Sequence, residues 1–238
     1  MDSVSARLEG IRARIAAAAD RSRRDPAGIR IVAVTKGVTV ETIQEALALG
    51  LRTLGENRIQ EALPKIEALR AVHPTWHLIG HLQTNKARQA AEHFSMVESI
   101  DSVHLVEALA ARVQGSLDVL IEVNVAAEAQ KTGAPVSEVD AIARAVLASG
   151  RLRLLGLMAI APLGTEAEAA RPTFRRLRVL RDELQQRCGT PLPELSMGMS
   201  DDFEAAVEEG ASMLRLGRAL FAGPSARTVN LGAGRPLK

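Results

Sequence analysis

Short apolar runs alternate with helical patterns along almost the whole chain. The run "RIVAV" at residues 30–34 is followed by "VETIQEALALG" at residues 40–50, in which apolar residues recur at helical spacing before a final glycine. The same order repeats down to "SMLRLG" at residues 212–217, which precedes a last short segment. The pattern predicts eight strand–helix units.

Strands that alternate with helices in this way pair in parallel through right-handed crossovers. Eight units in 238 residues match an α/β fold, a closed (β/α)8 barrel of the TIM type, which needs roughly 200 residues. A doubly wound open sheet is the alternative. No change in composition separates the units, so we expect one domain over residues 1–238. Residues 1–25 are expected to add an N-terminal helix outside the barrel, and residues 224–238 a loosely ordered tail.

The composition is that of a soluble protein with a full core, since 47% of the residues are hydrophobic and 24% are charged. The longest apolar run, residues 154–163, contains a glycine and a proline and is too short to span a bilayer. No apolar signal segment begins the chain, and a single cysteine, Cys188, allows no internal disulfide. We therefore expect a cytoplasmic protein without a membrane partner.

The net charge of +2 is too small to indicate a nucleic-acid partner unless the basic residues form a stripe. The most basic segment, residues 171–187, is predicted to be a helix whose arginines mostly face solvent. Its buried stripe consists of Phe174, Leu177, Leu180 and Leu184. Aromatic residues make up only 2% of the chain and offer few surfaces on which bases can stack. We expect no nucleic-acid partner.

In barrels of this type the chemistry lies at the carboxyl ends of the strands. Lys36 follows the first predicted strand. Burial would lower the pKa of such a lysine and make its amine a nucleophile toward aldehydes. The alternative is an ordinary lysine whose ammonium group reaches water at the rim of the barrel.

The second and third strands end in polar residues with less specific patterns. Asn57, in "GENR", is expected to cap the following helix. The spacing of His77 and His81 in "WHLIGHLQTNK" would suit a metal on a helix. The intervening "LIG" instead indicates a strand and a turn, so we expect hydrogen bonding near the pocket mouth and no metal site.

The last two units together indicate an anion site. Ser200 is predicted to cap the helix that follows the seventh strand, and Gly217 and Arg218 begin the segment after the eighth. These two ends are neighbours in the barrel and describe a phosphate cup. Arg215, inside the last strand, needs a partner such as a ring nitrogen or a carboxylate. A phosphate-bearing aldehyde that meets Lys36 fits this set, which points to pyridoxal 5′-phosphate (PLP).

Four motifs in order carry a family resemblance: "VAVTKGVTVETIQEALALGLRTLGENRIQEALPKI", "WHLIGHLQTNK", "LLGLMAIAP" and "LSMGMSDDFEAAVEEGASMLRLGRALFAG". From about Leu8 to Gly223 the chain resembles the pyridoxal phosphate homeostasis proteins, also called the YggS/PROSC family. The resemblance implies the fold of the alanine racemase barrel domain, without that enzyme's second, β-rich domain.

On matching positions, the resemblance implies that Lys36 forms the internal aldimine with PLP and that Asn57 lies beside the cofactor. Ser200 and the backbone of Gly217 and Arg218 would hold the phosphate. Arg215 would face the pyridine nitrogen, which disfavours a protonated ring and weakens its use as an electron sink.

The resemblance also implies that Met158 and Met197 line the pocket, although core packing explains both nearly as well. Lys131, in "AQKTG", matches a second lysine of the family near the cofactor, with an exposed loop lysine as the alternative. The chain departs from the family pattern at Thr35, at Gly37-Val38 and at Arg218, where a guanidinium replaces a common hydroxyl.

Three functions compete. A PLP-dependent amino-acid racemase of fold type III needs a second base opposite the lysine, which in alanine racemase is a tyrosine. This chain contains no tyrosine, and its single cysteine, Cys188, is expected on an outer helix. A Schiff-base aldolase would need carboxylates such as Glu56 and Glu122 in the barrel mouth. We therefore expect a non-enzymatic, monomeric carrier that holds PLP as a Schiff base and buffers it or supplies it to apo PLP-dependent enzymes.

Overall fold

A computed structural model describes residues 3–126, 132–162 and 167–221. Its strands are β1 (Arg30–Val34), β2 (Thr53–Glu56), β3 (Thr75–Leu78), β4 (Met96–Ile100), β5 (Leu117–Glu122), β6 (Leu152–Met158), β7 (Glu194–Ser196) and β8 (Met213–Leu216). The helices are α1 (Val4–Arg21), α2 (Val40–Ala48), α3 (Ile59–Ala68), α4 (Ala87–His93), α5 (Val103–Ala110), α6 (Val139–Ser149), α7 (Ala167–Cys188), α8 (Phe203–Glu208) and α9 (Arg218–Phe221).

The strands form a closed parallel barrel in chain order, from β1 to β8. β1 pairs with β2 on one side and with β8 on the other, so the sheet has no free edge between its first and last strands. The predicted (β/α)8 barrel is confirmed, and the open sheet is excluded by the pairing of β1 with β8.

Several strands end earlier than their apolar runs. β5 stops at Glu122 although the run continues to Val125, because Val123 leaves the strand to bridge with Ala134. β6 likewise stops at Met158. The polar residues that follow the strands therefore lie in loops and turns at one end of the barrel, where they are free to face a common space.

Apolar side chains pack in two separate layers. The larger layer lies between the strands and the surrounding helices. A smaller cluster fills the inside of the barrel with Val32, Ile79, Met96, Leu120, Met158 and Met213. The barrel interior also contains buried polar side chains, and these lead to the candidate site.

The N-terminal helix α1 packs on α8 and α9, as expected for a helix outside the barrel. Val4, Leu8, Ile11 and Ile15 recur at helical spacing and are buried. Ser3 caps the helix by accepting a hydrogen bond from the backbone N–H of Ala6. Across the interface, Arg14 pairs with Glu204 and Arg21 with Glu208. The tail at residues 224–238 lies outside the described residues.

Helix α7 has the buried stripe predicted for its arginine-rich segment. Arg171, Arg175 and Arg178 pair with Glu209 of the turn after α8, and Arg171 also pairs with Glu208. These cations are therefore engaged in helix packing and do not form an open basic stripe. In the described ranges, no helix is both long and apolar enough to cross a membrane.

Candidate functional site

A cavity of about 370 Å³ opens at the carboxyl ends of the strands. Six of the predicted site residues line it, namely Lys36, Asn57, Ser200, Arg215, Gly217 and Arg218. Apolar side chains complete much of its wall, among them Val34, Ile79, Ile160, Pro162 and Met199. The barrel thus brings together residues that are far apart in the chain, because each follows or ends a strand at the same rim.

Lys36 lies in a turn two residues beyond the end of β1. The turn is closed by a hydrogen bond of 3.0 Å from the Val38 N–H to the Thr35 carbonyl oxygen, and Gly37 adopts a φ of 69° in it. Lys36 is exposed. Of the two alternatives, the exposed position agrees with a lysine whose amine reaches the rim of the barrel, because the strand ends at Val34 and the turn places the side chain at the cavity mouth. Lys36 also borders a second cavity of about 440 Å³ beside α2 and α9.

A buried ion pair anchors the peptide next to Lys36. The ammonium group of Lys65, on α3, donates to the Thr35 carbonyl oxygen and to Glu56 Oε1, both at 2.6 Å. The Thr35 hydroxyl donates to the same carboxylate oxygen at 2.6 Å. Glu56 is fully buried and is not among the residues that line the cavity. Its Oε1 therefore holds the Lys36 turn, while its Oε2 is buried with no hydrogen-bond partner among the described residues.

Lys65 is absent from the predicted site because it lies within a helix, away from the strand ends on which that prediction rests. The sequence carries one indirect signal for it. Glu56 ends a strand that is otherwise uncharged, and a buried carboxylate needs a cationic or hydrogen-bonding partner.

Ser200 does not cap the helix that follows β7, contrary to the prediction. Asp202 occupies the N-cap position of α8, and its Oδ1 accepts a 2.6 Å hydrogen bond from the Met199 N–H. Ser200 Oγ instead accepts a 3.0 Å hydrogen bond from the backbone N–H of Ala219 in α9. The serine thus ties the loop after β7 to the segment after β8, and it still lines the cavity.

Gly217 and Arg218 form the other side of this junction. A Cβ atom at Gly217 would lie 3.3 Å from Val34 Cβ, so the absence of a side chain lets the backbone pass close to β1. The Arg218 side chain is 66% exposed and pairs with Asp201 at the rim. A hydroxyl group, a guanidinium group and closely approaching backbone N–H groups are donors that bind phosphate, so this corner of the cavity fits an anionic group.

Asn57 is exposed at the cavity wall after β2. It does not cap α3, because Arg58 occupies the N-cap position and makes no side-chain cap hydrogen bond. The backbone carbonyl oxygen of Asn57 would lie 2.3 Å from a Cβ atom added at Gly80. Gly80 therefore permits the close passage of the loops after β2 and β3.

Arg215 is only 4% exposed and ends a hydrogen-bonded chain across the barrel interior. Its Nη1 donates to Ser196 Oγ at 2.6 Å, and its Nη2 donates to the Ala159 carbonyl oxygen at 2.8 Å. Burial lowers the pKa of Arg215, against the opposing charges of Glu98, Glu122 and Asp202. The hydrogen bonds described for Arg215 thus go to a hydroxyl and a carbonyl oxygen, and the carboxylates act on it through their charge.

Glu98 and His77 continue this chain. Ser196 Oγ donates to Glu98 Oε2 at 2.5 Å, and the other carboxylate oxygen lies 2.6 Å from His77 Nδ1. Burial alone would raise the pKa of Glu98, but the hydrogen bond and charge of His77, with the charge of Arg215 and the Ser196 hydroxyl, outweigh it and lower the pKa.

His77 is thus inside the barrel and not at the pocket mouth as expected. His81 lies apart from it, half exposed, with its Nδ1 3.2 Å from Asp101 Oδ2. Over the described parts of the chain, no three His, Cys, Asp or Glu side chains are grouped as a metal site requires.

The two predicted methionines are fully buried, and neither is among the residues that line the cavity. Met158 belongs to the cluster inside the barrel, and Met197 belongs to the layer between strands and helices. Met199 lines the cavity instead. Gly198 separates Met197 from Met199 with a φ of 91°, a left-handed turn that breaks the strand alternation.

Lys131 lies outside the described residues. The next residue, Thr132, donates a 2.6 Å hydrogen bond to Glu122 Oε1. Burial raises the pKa of Glu122, only partly offset by this hydrogen bond and by the charge of Arg215. Neither Glu122 nor Glu56 is among the residues that line the cavity, so the aldolase hypothesis lacks both of its candidate carboxylates there.

The site's residues occur in a chain with clear relatives. The family model for the alanine racemase N-terminal domain matches residues 7–224. A pyridoxal phosphate homeostasis protein of Aquifex aeolicus is 41% identical over 218 residues, which cover 90% of this chain and 96% of the relative. One of Pseudomonas aeruginosa is 42% identical over 224 residues, with 93% and 96% coverage. The solved structure of PipY from Synechococcus elongatus with PLP bound is 37% identical, has a TM-score of 0.80, and matches over 92% of this chain and 100% of that chain.

Proposed function

The chain belongs to the alanine racemase N-terminal domain family and, within it, to the pyridoxal phosphate homeostasis proteins, and from this we propose that it holds PLP reversibly and buffers or supplies it. One observation carries the proposal. The exposed amine of Lys36 and the anion-binding corner formed by Ser200, Gly217 and Arg218 line the same cavity of about 370 Å³.

Each residue has a separate part in this proposal. When bound, PLP contributes an aldehyde that condenses with a primary amine. Lys36 provides that amine at the mouth of the cavity. Ser200, with the backbone of Gly217 and Arg218, holds the phosphate, and Asn57 lies beside the ring. Arg215 reaches the cavity from the barrel interior and faces the pyridine nitrogen.

We propose a carrier more than an enzyme. A guanidinium opposite the pyridine nitrogen disfavours a protonated ring and so weakens the ring as an electron sink. The racemase alternative needs a second base opposite Lys36, and the chain contains no tyrosine. Cys188, the last residue of the outer helix α7, is half-buried, and burial raises the pKa of its thiol. Tyrosine is thus missing, and Cys188 is not placed to act as the second base.

The recipients that fit this role are apo forms of PLP-dependent enzymes, and the single cysteine agrees with action in a reducing cytoplasm. A single barrel that contains all the residues assigned above needs no partner subunit to complete the site. We therefore propose a monomer. Met158 and Met197 remain part of this proposal only as packing around the site, and the secondary contact at Lys131 stays a prediction.

The absorption spectrum tests the covalent link. Purified protein mixed with PLP should absorb in the near-visible, and borohydride should fix the cofactor on the peptide that contains Lys36, as read by mass spectrometry. Lys36→Ala should lose this adduct. Lys86→Ala, which removes a lysine that is not among the cavity-lining residues, serves as the matched control and should retain it.

An adduct of normal yield on Lys36→Ala would show that another residue holds PLP and would overturn the assignment. Carrier and racemase are separated by incubating the loaded protein with L-alanine and following its chirality. Turnover at ordinary enzymatic rates of about 1 s⁻¹ or more would favour the racemase.

A further inference from the structure

Four polar side chains cross the inside of the barrel in a continuous chain from β3 to β8. His77 contacts Glu98, Ser196 donates to Glu98, and Arg215 donates to Ser196, at 2.6, 2.5 and 2.6 Å. All four residues are at most 4% exposed. Of the four, only Arg215 is among the residues that line the cavity. The chain therefore connects the wall of the site to groups that a ligand does not touch.

A gain in stability over an apolar interior does not account for this chain. Buried ions lose their hydration, and replacing them by apolar side chains of similar volume is often neutral or stabilising. The neighbouring interior of this barrel is already filled by such side chains, among them Met96, Leu120 and Met213. A fully hydrogen-bonded polar chain in an apolar surrounding fixes its members in one arrangement, since any other leaves a buried group unpaired.

The arrangement fixes the Arg215 guanidinium in particular. Its two terminal nitrogens are bound on one side to Ser196 Oγ and on the other to the Ala159 carbonyl oxygen. A guanidinium carries five N–H donors in a rigid plane. With both terminal nitrogens anchored, the plane cannot rotate, and its remaining donors keep a constant direction at the cavity wall.

The direction of the hydrogen bonds also supports a fixed position of the Arg215 guanidinium. Ser196 has one hydroxyl proton, and it goes to Glu98, so the serine oxygen receives Arg215 as an acceptor. Glu98 therefore sets the direction of the serine hydrogen bond. The carboxylate itself is held by His77 from the other side. Removing the charge of Glu98 would free the Ser196 hydroxyl to rotate and would leave Arg215 with one anchor fewer.

We infer that Glu98 and Ser196 are positioning residues, which hold the Arg215 guanidinium plane in place for contact with the aromatic ring of the bound ligand. The inference rests on the proposed function only for the identity of that ligand, PLP. It assigns to the interior of the barrel a part in determining the electronic state of the cofactor.

Two variants and one control test this inference. Ser196→Ala removes the hydroxyl between Glu98 and Arg215, and Glu98→Gln removes the charge with little change in shape. Ser99→Ala removes another buried hydroxyl, which donates at 2.7 Å to the Gly80 carbonyl oxygen and takes no part in the chain. This control reports the cost of losing a buried serine hydroxyl from the same barrel.

The first readout needs no cofactor. Nitrogen-15 NMR of the Arg215 side chain, assigned by its loss in Arg215→Lys, should show slow rotation of the guanidinium in the wild type and in Ser99→Ala. Both Ser196→Ala and Glu98→Gln should make this rotation fast. The second readout is PLP itself: the two variants should bind it about ten-fold more weakly and shift the absorption maximum and its pH midpoint.

The outcomes separate the inference from the proposed function. If Ser196→Ala has the unfolding midpoint of Ser99→Ala together with wild-type guanidinium rotation, PLP affinity and spectrum, the positioning role is wrong. If the wild type binds no PLP, the proposed function fails while the NMR comparison still decides whether Arg215 is held. If Glu98→Gln does not fold, Ser196→Ala, which keeps every charge, decides alone.

Discussion

The ammonium group of Lys65 lies 2.6 Å from the carbonyl oxygen of Thr35, the residue immediately before Lys36. The same ammonium group is 2.6 Å from Glu56 Oε1, and the Glu56 side chain is completely buried. The position of Lys36 thus depends on another lysine, on helix α3. The Lys65 side chain is only 13% exposed and is paired with Glu56. Lys36, in contrast, is exposed.

Lys65→Met should destabilise the protein by about 3–5 kcal/mol, because it leaves the buried Glu56 carboxylate without its cation. The measurement is urea unfolding followed by circular dichroism. Lys65→Met combined with Glu56→Gln should recover part of the loss. Lys86→Met is the control for removal of a lysine from the same end of the barrel and should change stability by less than about 0.5 kcal/mol. An equal loss of stability in both lysine variants would contradict the role of Lys65 as the partner of Glu56.

Two buried glutamates of the barrel should give opposite pH dependences. The pKa of Glu122 is raised by burial, so its contribution to stability is present below its unfolded pKa, about 4.3, and is lost as the pH rises through the higher folded pKa. Glu122→Gln should therefore gain stability relative to the wild type between about pH 4 and pH 7.

The pKa of Glu98 is lowered because its partners outweigh its burial. Its stabilising contribution is present above the unfolded pKa and is lost as the pH falls through the lower folded pKa. Glu98→Gln should therefore lose stability relative to the wild type at neutral pH and approach it in acid. Urea unfolding from pH 3 to pH 7 measures both variants, and parallel curves for the two would refute the assignment.

Asp201→Asn should tighten the binding of PLP and of inorganic phosphate by about two- to fivefold at low salt, the range typical of an exposed ion pair. Asp201 pairs with Arg218 at the cavity rim and competes with a phosphate for that guanidinium. The gain should shrink in 1 M salt, where charges on the surface are screened. Asp20→Asn, the same charge change on α1, should have no effect in fluorescence titrations. A gain that is equal in both variants would indicate net charge alone.

Gly217→Ala should weaken PLP binding by about fivefold, because the added Cβ would lie 3.3 Å from Val34 Cβ and 3.4 Å from the Val34 carbonyl oxygen. Relief of that contact moves the backbone at the phosphate corner away from β1. Gly28→Ala, where a new Cβ has no neighbour within 4 Å, is the control for loss of a glycine. Unchanged affinity in Gly217→Ala would mean that the backbone at this position does not contact the phosphate.

The alternation of strands and helices is predictable because it depends on local periodicity, and the parallel barrel follows from eight repetitions of it. Contacts between distant segments are not encoded in that way. Ser200 has the sequence context of a helix cap, yet its hydroxyl bonds to Ala219 of the next unit. The chain from His77 through Glu98 to Ser196 joins three strands, and no spacing rule relates them.

Small shifts at strand ends account for the other differences. β5 stops at Glu122 and β6 at Met158, before their apolar runs end. Met199 takes the place expected for Met197, since a left-handed glycine turn lies between them. A prediction from apolar runs is uncertain by one or two residues at such boundaries. At the rim of a barrel that is enough to move a side chain from the core to the cavity.

The pairing of β1 with β8 joins the two ends of the chain, and with them the two halves of the site. Lys36 follows the first strand to be synthesised, whereas Gly217 and Arg218 follow the last. In the proposed function, a chain that still lacks β8 has the amine of Lys36 but not Gly217 and Arg218, so PLP binding requires a closed barrel. A ligand that binds only the closed barrel then opposes its reopening. In the proposed function, the seam between first and last strand is thus the place where closure of the barrel completes the site for PLP.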